Sequence, residues 1–125
     1  MIIGIGLDMV EISRIERSMQ RPGFARRCFT EAEQQLFAHS GKVSDQRAAG
    51  NFAVKEALSK AMGVGISGCP LNQVEVLRNE LGAPYVQVYG VVEQWMQEHH
   101  VKNIFVSITN LADLAAAQVV LEGEE

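Results

Sequence analysis

Asn103-Ile-Phe-Val-Ser-Ile-Thr-Asn-Leu-Ala-Asp-Leu-Ala-Ala-Ala-Gln-Val-Val-Leu121 decides the fold class. Residues 103–109 and 114–121 read as two strands, and a short polar turn between them lets the chain fold straight back, so the pair is antiparallel. Upstream, Val91, Val92, Trp95, Met96 and His99 repeat at helical spacing. Trp95 and Met96 sit on that apolar stripe and are assigned to the core. Further upstream, Val74 and Val76 alternate with polar neighbours, and Val86 and Val88 do the same beyond Gly82-Ala-Pro84, which predicts a hairpin.

The amino-terminal half is mostly helical. Met1-Ile-Ile-Gly-Ile-Gly-Leu-Asp8 is an apolar strand whose glycines admit a close neighbour and leave a carboxylate at the strand end. Ile12, Ile15 and Met19 then recur on one face of a helix, and Arg14, Arg17 and Arg21 on another, before Pro22-Gly23 stops it. Thr30-Glu-Ala-Glu33 is a capping box that opens a helix expected to reach about Ser40. Asp45 is placed as the cap of the longest helix, Gln46 to Met62, with Val54, Ala57, Leu58, Ala61 and Met62 on one side. The other side mixes Ala49 and Phe52 with Lys55, Glu56, Ser59 and Lys60, an odd composition for a face that meets only water. Gly63 to Pro70 reads as a long loop. The expectation is an α+β fold with helices packed on one side of a largely antiparallel sheet.

The 125 residues suffice for one domain spanning 1–125, with 47% hydrophobic and 21% charged residues and a mean hydropathy of +0.02. No apolar run is long enough to span a bilayer, and no basic-then-apolar leader opens the chain, so a cytoplasmic location is expected. Cys28 and Cys69 match no metal spacing and are read as reduced, partly buried thiols. A net charge of −4 argues against nucleic-acid binding. The balance is uneven, however: Arg14, Arg17, Arg21, Arg26 and Arg27 crowd one region, while only acidic charges follow Asn103. The molecule should have a basic end, which is either a docking surface or a solvated face.

Asp8 and Glu56 are the most suggestive chemical pair. If they meet, two carboxylates with open positions suit magnesium, which keeps several waters and takes substrate phosphate oxygens. The alternative is that Asp8 caps the following helix and Glu56 pairs with Lys60 four residues on. Lys60 fits two roles as well: a phosphate partner beside Gly63, whose lack of a side chain allows close approach, or a helix-terminal lysine before a C-cap glycine. Gly4-x-Gly6 lacks the third glycine of a dinucleotide fingerprint, His39, His99 and His100 share no metal or triad spacing, and no Gly-x-Ser-x-Gly elbow is present.

Gly4-Ile-Gly-Leu-Asp8-Met-Val-Glu11-Ile-Ser-Arg14-Ile15, together with Asn51-Phe-Ala-Val-Lys55-Glu56-Ala-Leu-Ser-Lys60-Ala61, resembles the two signature segments of the holo-acyl carrier protein synthases. The likeness extends to Phe24-Ala-Arg-Arg-Cys-Phe-Thr30 with Glu33, to Gly82-Ala-Pro84 and to Val106-Ser-Ile-Thr109. This resemblance implies transfer of 4′-phosphopantetheine from coenzyme A to a serine of an apo acyl carrier protein, releasing 3′,5′-ADP, in fatty acid biosynthesis. It implies magnesium on the coenzyme A pyrophosphate held by Asp8 and Glu56, with Lys60 one turn later. It further implies an acidic carrier protein docking on Arg14, Arg17 and Arg21, and homotrimers with active sites between subunits. Two positions depart from the family pattern: Asn110 stands where many members have histidine, and Asn51 where many have arginine. Both bear on the nucleotide end of coenzyme A, and Arg47, one turn before Asn51, can replace the missing charge. A carrier-protein binding module that has lost coenzyme A affinity through Asn51 and Asn110 is the competing reading.

Overall fold

The computed structural model describes residues 1–39 and 42–124. Its centre is a three-stranded antiparallel sheet in the order β1-β7-β6, formed by β1 (Ile2–Glu11), β6 (Val101–Leu111) and β7 (Leu114–Gly123). The turn at Ala112 and Asp113 pairs Leu111 with Leu114 and fixes the β6–β7 register, so that Ile108 lies opposite Ala117; on the other edge of β7, β1 places Asp8 opposite the same residue. Alternation along β7 buries Ala115, Ala117, Val119 and Leu121 on one face. The longest helix, α4 (Asp45–Met62), covers that face.

The strand-to-helix contact is unusually close, and two glycines of β1 make it so. A Cβ at Gly4 would collide with the Ala61 carbonyl, and one at Gly6 with the Ala57 carbonyl. Backbone therefore packs directly on backbone, with alanines on the helix side. Around α4 lie α1 (Ile12–Met19), α2 (Phe24–Cys28), α3 (Glu31–Phe37) and a hairpin of β4 (Val74–Arg78) and β5 (Pro84–Val88), with α5 (Gly90–Glu98) leading into β6. Being enclosed on nearly all sides, α4 buries Ala49, Asn51, Lys55 and Ser59 as well as its apolar stripe. That enclosure explains the mixed face of this helix: it meets other elements more than water.

The expected α+β architecture and hairpin are present, with Val74 opposite Val88 and Val76 opposite Val86. Met96 is buried and Trp95 packs against the core. Both cysteines are free and buried. Other expectations need correction. Ser44, not Asp45, caps α4, its hydroxyl accepting from the Arg47 amide at 3.3 Å, and Asp45 is the first helical residue. The capping box of Thr30 and Glu33 is formed, but α3 closes at Phe37 and passes into the two-residue strand β2 (Ala38–His39), which pairs with β3 (Lys42–Val43); the expected end at Ser40 lies outside the described residues. The short α2 was not foreseen, five residues being too few to display a helical period. Among the described residues, no helix is long and apolar enough to cross a membrane.

Candidate functional site

Because β1 lies flush on α4, the carboxylate at Asp8 comes beside the helix face carrying Glu56 and Lys60. Lys60 Nζ donates to Asp8 Oδ1 at 2.9 Å and to the Leu7 carbonyl at 3.1 Å. Glu56 is pushed above the ordinary carboxylate range, first by burial and then by the negative charge of Asp8; Lys60 and Arg14 oppose the rise. The two carboxylates thus share one site, and Arg14 of α1 faces it. Asp8 does not cap α1, whose cap residue Glu11 makes no side-chain bond. The start of that helix is held instead by Asp113 of the β6–β7 turn, which accepts from the Ser13 amide at 3.0 Å. Sequence periodicity gives no sign of so distant a cap. Lys60 pairs with Asp8 rather than with Glu56. Gly63 ends α4 in the left-handed region, φ 76°, its amide donating to the Ser59 and Lys60 carbonyls. It therefore stands directly behind Lys60.

Two neighbouring carboxylates attract a hard cation, and the like-charge effect on Glu56 is the electrostatic sign of such a site. Among the described residues there is no group of three or more His, Cys, Asp or Glu side chains suited to hold a metal. A cation here would draw its remaining ligands from water and substrate oxygens, as magnesium does.

Next to Glu56, Lys55 turns inward and is fully buried. Its ammonium donates to Glu33 Oε1 at 2.6 Å and to the carbonyls of Cys28, Leu71 and Val74 at 2.7, 2.8 and 2.6 Å. Burial pulls this ammonium below the ordinary lysine range, but the Glu33 carboxylate opposes the shift. Four acceptors and no donor surround the nitrogen, so we assign it the protonated form. Glu33 also accepts from the Thr30 and Val76 amides, and its Oε2 from Asn51 Nδ2 at 2.9 Å. No buried side-chain polar atom among the described residues lacks a partner. This network ties α2, α3, α4 and β4 together. The sequence placed Lys55 on the chemical face of α4, and the structure gives it to the scaffold.

A separate cleft of about 240 Å³ opens at the amino-terminal end of α4, lined by Gln46, Arg47, Gly50, Arg78, Gly82, Pro84, Ile108 and Asn110. Arg47 and Asn110 thus line the same cleft, and Gln46 Nε2 donates to Asn110 Oδ1 at 2.7 Å. Asn51 does not line the cleft. It is fully buried beneath it, its Oδ1 accepting from Arg78 Nη2 at 3.0 Å. Arg78 is a cleft residue that the sequence reading missed, because the β4–β5 hairpin brings it to α4 from 27 positions beyond Asn51. From Arg47 to Glu56 the helix rises about 14 Å, so the cleft and the carboxylate pair are two sites. The third feature is a basic surface on α1 and the turn that follows it, where Arg14, Arg17 and Arg21 surround a shallow hollow with Ser18. Arg21 is held there by Ser18 Oγ at 3.2 Å and by the Phe24 ring at 5.5 Å.

The arrangement has clear relatives. A family model described as the 4′-phosphopantetheinyl transferase superfamily matches residues 4–119. The holo-[acyl-carrier-protein] synthase of Lachnoclostridium phytofermentans is 46% identical over 123 residues, covering 98% of this chain and 97% of that protein. The crystal structure of the synthase from Neisseria meningitidis superposes with a TM-score of 0.86 at 32% identity, over 98% of this chain and 99% of the other. That of Helicobacter pylori AcpS, in complex with coenzyme A, gives 0.82 at 30% identity, over 94% and 99%. With nearly every residue covered by these matches, the chain belongs to the 4′-phosphopantetheinyl transferase superfamily.

Proposed function

We propose that this protein is a holo-acyl carrier protein synthase: it transfers 4′-phosphopantetheine from coenzyme A to a serine of apo acyl carrier protein, giving holo protein and 3′,5′-ADP. The observation that carries the reading is the shared site of Asp8 and Glu56 with Lys60 at its edge. The reaction moves a phosphoryl group carrying the pantetheine arm: the serine oxygen bonds to the β-phosphorus and the bond to the bridging pyrophosphate oxygen breaks. Asp8 and Glu56 would hold magnesium, whose charge, when bound, neutralises the pyrophosphate. Lys60, more than half exposed, is free to exchange Asp8 for a phosphate oxygen. Glu56 is placed to take the serine proton, directly or through a water.

Arg14 acts on Glu56 and shares a hollow with Arg17 and Arg21, so an acidic carrier protein docked on these arginines would bring its serine toward Glu56. Arg47, Arg78 and Asn110 of the cleft suit the nucleotide end of coenzyme A. The whole chain, 1–125, acts as one domain in the cytoplasm, serving fatty acid biosynthesis. Magnesium should tighten coenzyme A binding by on the order of tenfold, equivalent to about 1.4 kcal/mol, and Asp8→Asn should remove that gain. Titration calorimetry with and without the metal measures both; equal affinity in wild type under the two conditions would sink the magnesium assignment.

The outward face of the sheet is apolar: Ile5, Leu7, Met9, Phe105 and Leu111 are 63%, 64%, 62%, 53% and 80% exposed. A monomer gains nothing from such a face, whereas a homotrimer buries it and brings sites to the subunit boundaries. Sedimentation should therefore give about 41 kDa, three times the 13.7 kDa chain. Leu7→Glu should shift the protein to monomers; a wild type that sediments as a monomer at micromolar concentration contradicts the assignment.

A further inference from the structure

The helix that carries Arg14 and Arg17, α1, has little of its own to fix it in place. Of its eight residues only Ile15 and Ser18 are buried, with Ile12 and Met19 packed partly against the core. One apolar row decides which face turns inward, but it leaves the position of the helix along its axis loose. The first turn holds no acidic residue, and Glu11, the N-cap residue, makes no side-chain bond. Eight residues are too few for a helix to persist in water unaided.

The missing support comes from the β6–β7 turn, and strand register brings it there. Glu11, the last residue of β1, pairs with Leu114, so the chain leaves the sheet beside Asp113. The Asp113 carbonyl accepts from the Ile12 amide at 2.8 Å, its Oδ1 from the Ser13 amide at 3.0 Å, and its Oδ2 from the Ser13 hydroxyl at 2.5 Å. One residue thus satisfies the first donors of α1 and sets a negative charge at the positive end of the helix dipole. Asp113 is exposed and adds nothing to the core, so these bonds are its contribution to the structure. Ala112, just before it, is held at φ 54°, a left-handed conformation that costs an alanine energy. Along the chain the tie lies between Asp8 and Arg14, whose charges both act on Glu56. A shift at the start of α1 would therefore move the arginines relative to the two carboxylates.

We propose that Asp113 is a positioning residue for the carrier-protein substrate: by tying the start of α1 to the sheet that carries Asp8, it sets where Arg14, Arg17 and, in the turn beyond, Arg21 hold an acidic partner relative to Asp8 and Glu56. The inference rests on the transferase reading above and adds to it a residue that acts through α1. The charge of Asp113 has the wrong sign for direct docking, since it repels an acidic partner. Removing that charge alone should tighten the carrier protein, whereas losing the tie should weaken it, so the two effects differ in sign.

The test is a transfer assay on the full chain, with apo acyl carrier protein varied at saturating coenzyme A. Asp113→Ala loses both charge and tie and should raise the KM for carrier protein by roughly threefold to tenfold, within the range of one helix cap. Its kcat should stay within about twofold of wild type, and its coenzyme A affinity by calorimetry should be unchanged. Asp113→Asn keeps an acceptor oxygen for the Ser13 amide and loses the charge, so its KM should equal that of wild type or fall below it. Ser13→Ala loosens the tie from the helix side and leaves the turn intact; it should raise the same KM by about twofold to threefold. An unchanged or lower KM in Asp113→Ala overturns the inference, even beside a lowered urea midpoint, because that is the behaviour of a residue serving stability alone. So does an Asp113→Asn as impaired as Asp113→Ala. Should Asp113→Ala fail to fold, Ser13→Ala decides, and a carrier KM unchanged in that variant overturns the inference. A wild type that leaves apo carrier protein unmodified overturns it together with the transferase reading.

Discussion

Glu56→Ala should lower the rate of carrier-protein modification by about 10³-fold, the range for removing a proton acceptor in a phosphoryl transfer, and by more if the metal is lost with it. The same change should leave stability unharmed. In the unliganded protein Glu56 sits beside Asp8, whose charge it opposes, and its burial raises the cost of its own ionisation. Removing it relieves both, so the variant should unfold at the wild-type urea concentration or slightly above it. A residue kept for packing would behave oppositely, losing stability and activity together. Initial rates of modification at saturating coenzyme A, measured beside urea denaturation followed through Trp95, separate the two. A variant with rates within tenfold of wild type would remove Glu56 from the mechanism.

Lys55→Met should cost about 3–5 kcal/mol of stability, because it leaves the buried Glu33 carboxylate without its counter-charge. The chain gives this lysine four acceptors and no exposure, so nothing else can take its place. Adding Glu33→Gln should recover much of the deficit, since a neutral amide needs no counter-ion. Urea midpoints for the single and double variants test this; a single variant matching wild type would show that the pair is not a structural tie.

Much of the architecture is legible in the sequence for a simple reason. Val74, Val76, Val86 and Val88, and the two long strands of the final 25 residues, display their periods within a few positions. The Asp8 and Glu56 pair is legible for a subtler one. Gly4 and Gly6 mark a strand that something approaches closely, and α4 carries a face too polar for a core and too apolar for water. What the sequence hides is long-range. Lys55 and Glu56 are adjacent, yet one enters the core and the other the site, a difference decided by α3 and β4 closing over one side of the helix. Arg78 joins Arg47 only through the hairpin, and Asp113 reaches α1 from across 100 positions. Asn51 reads as a lost charge in the sequence; in the structure it is the support of a charge supplied by another element.

The central claim is that Asp8 and Glu56 serve the transfer of 4′-phosphopantetheine to a carrier protein. Intact mass spectrometry of apo acyl carrier protein, incubated with this protein, coenzyme A and magnesium beside a chelator control, tests it most directly. A gain of one phosphopantetheine group, absent with the chelator and absent with Asp8→Ala, is the predicted result. An unchanged carrier mass across several acyl carrier proteins, with coenzyme A binding undetectable in the same samples, would contradict it and favour a module that docks carrier proteins without modifying them.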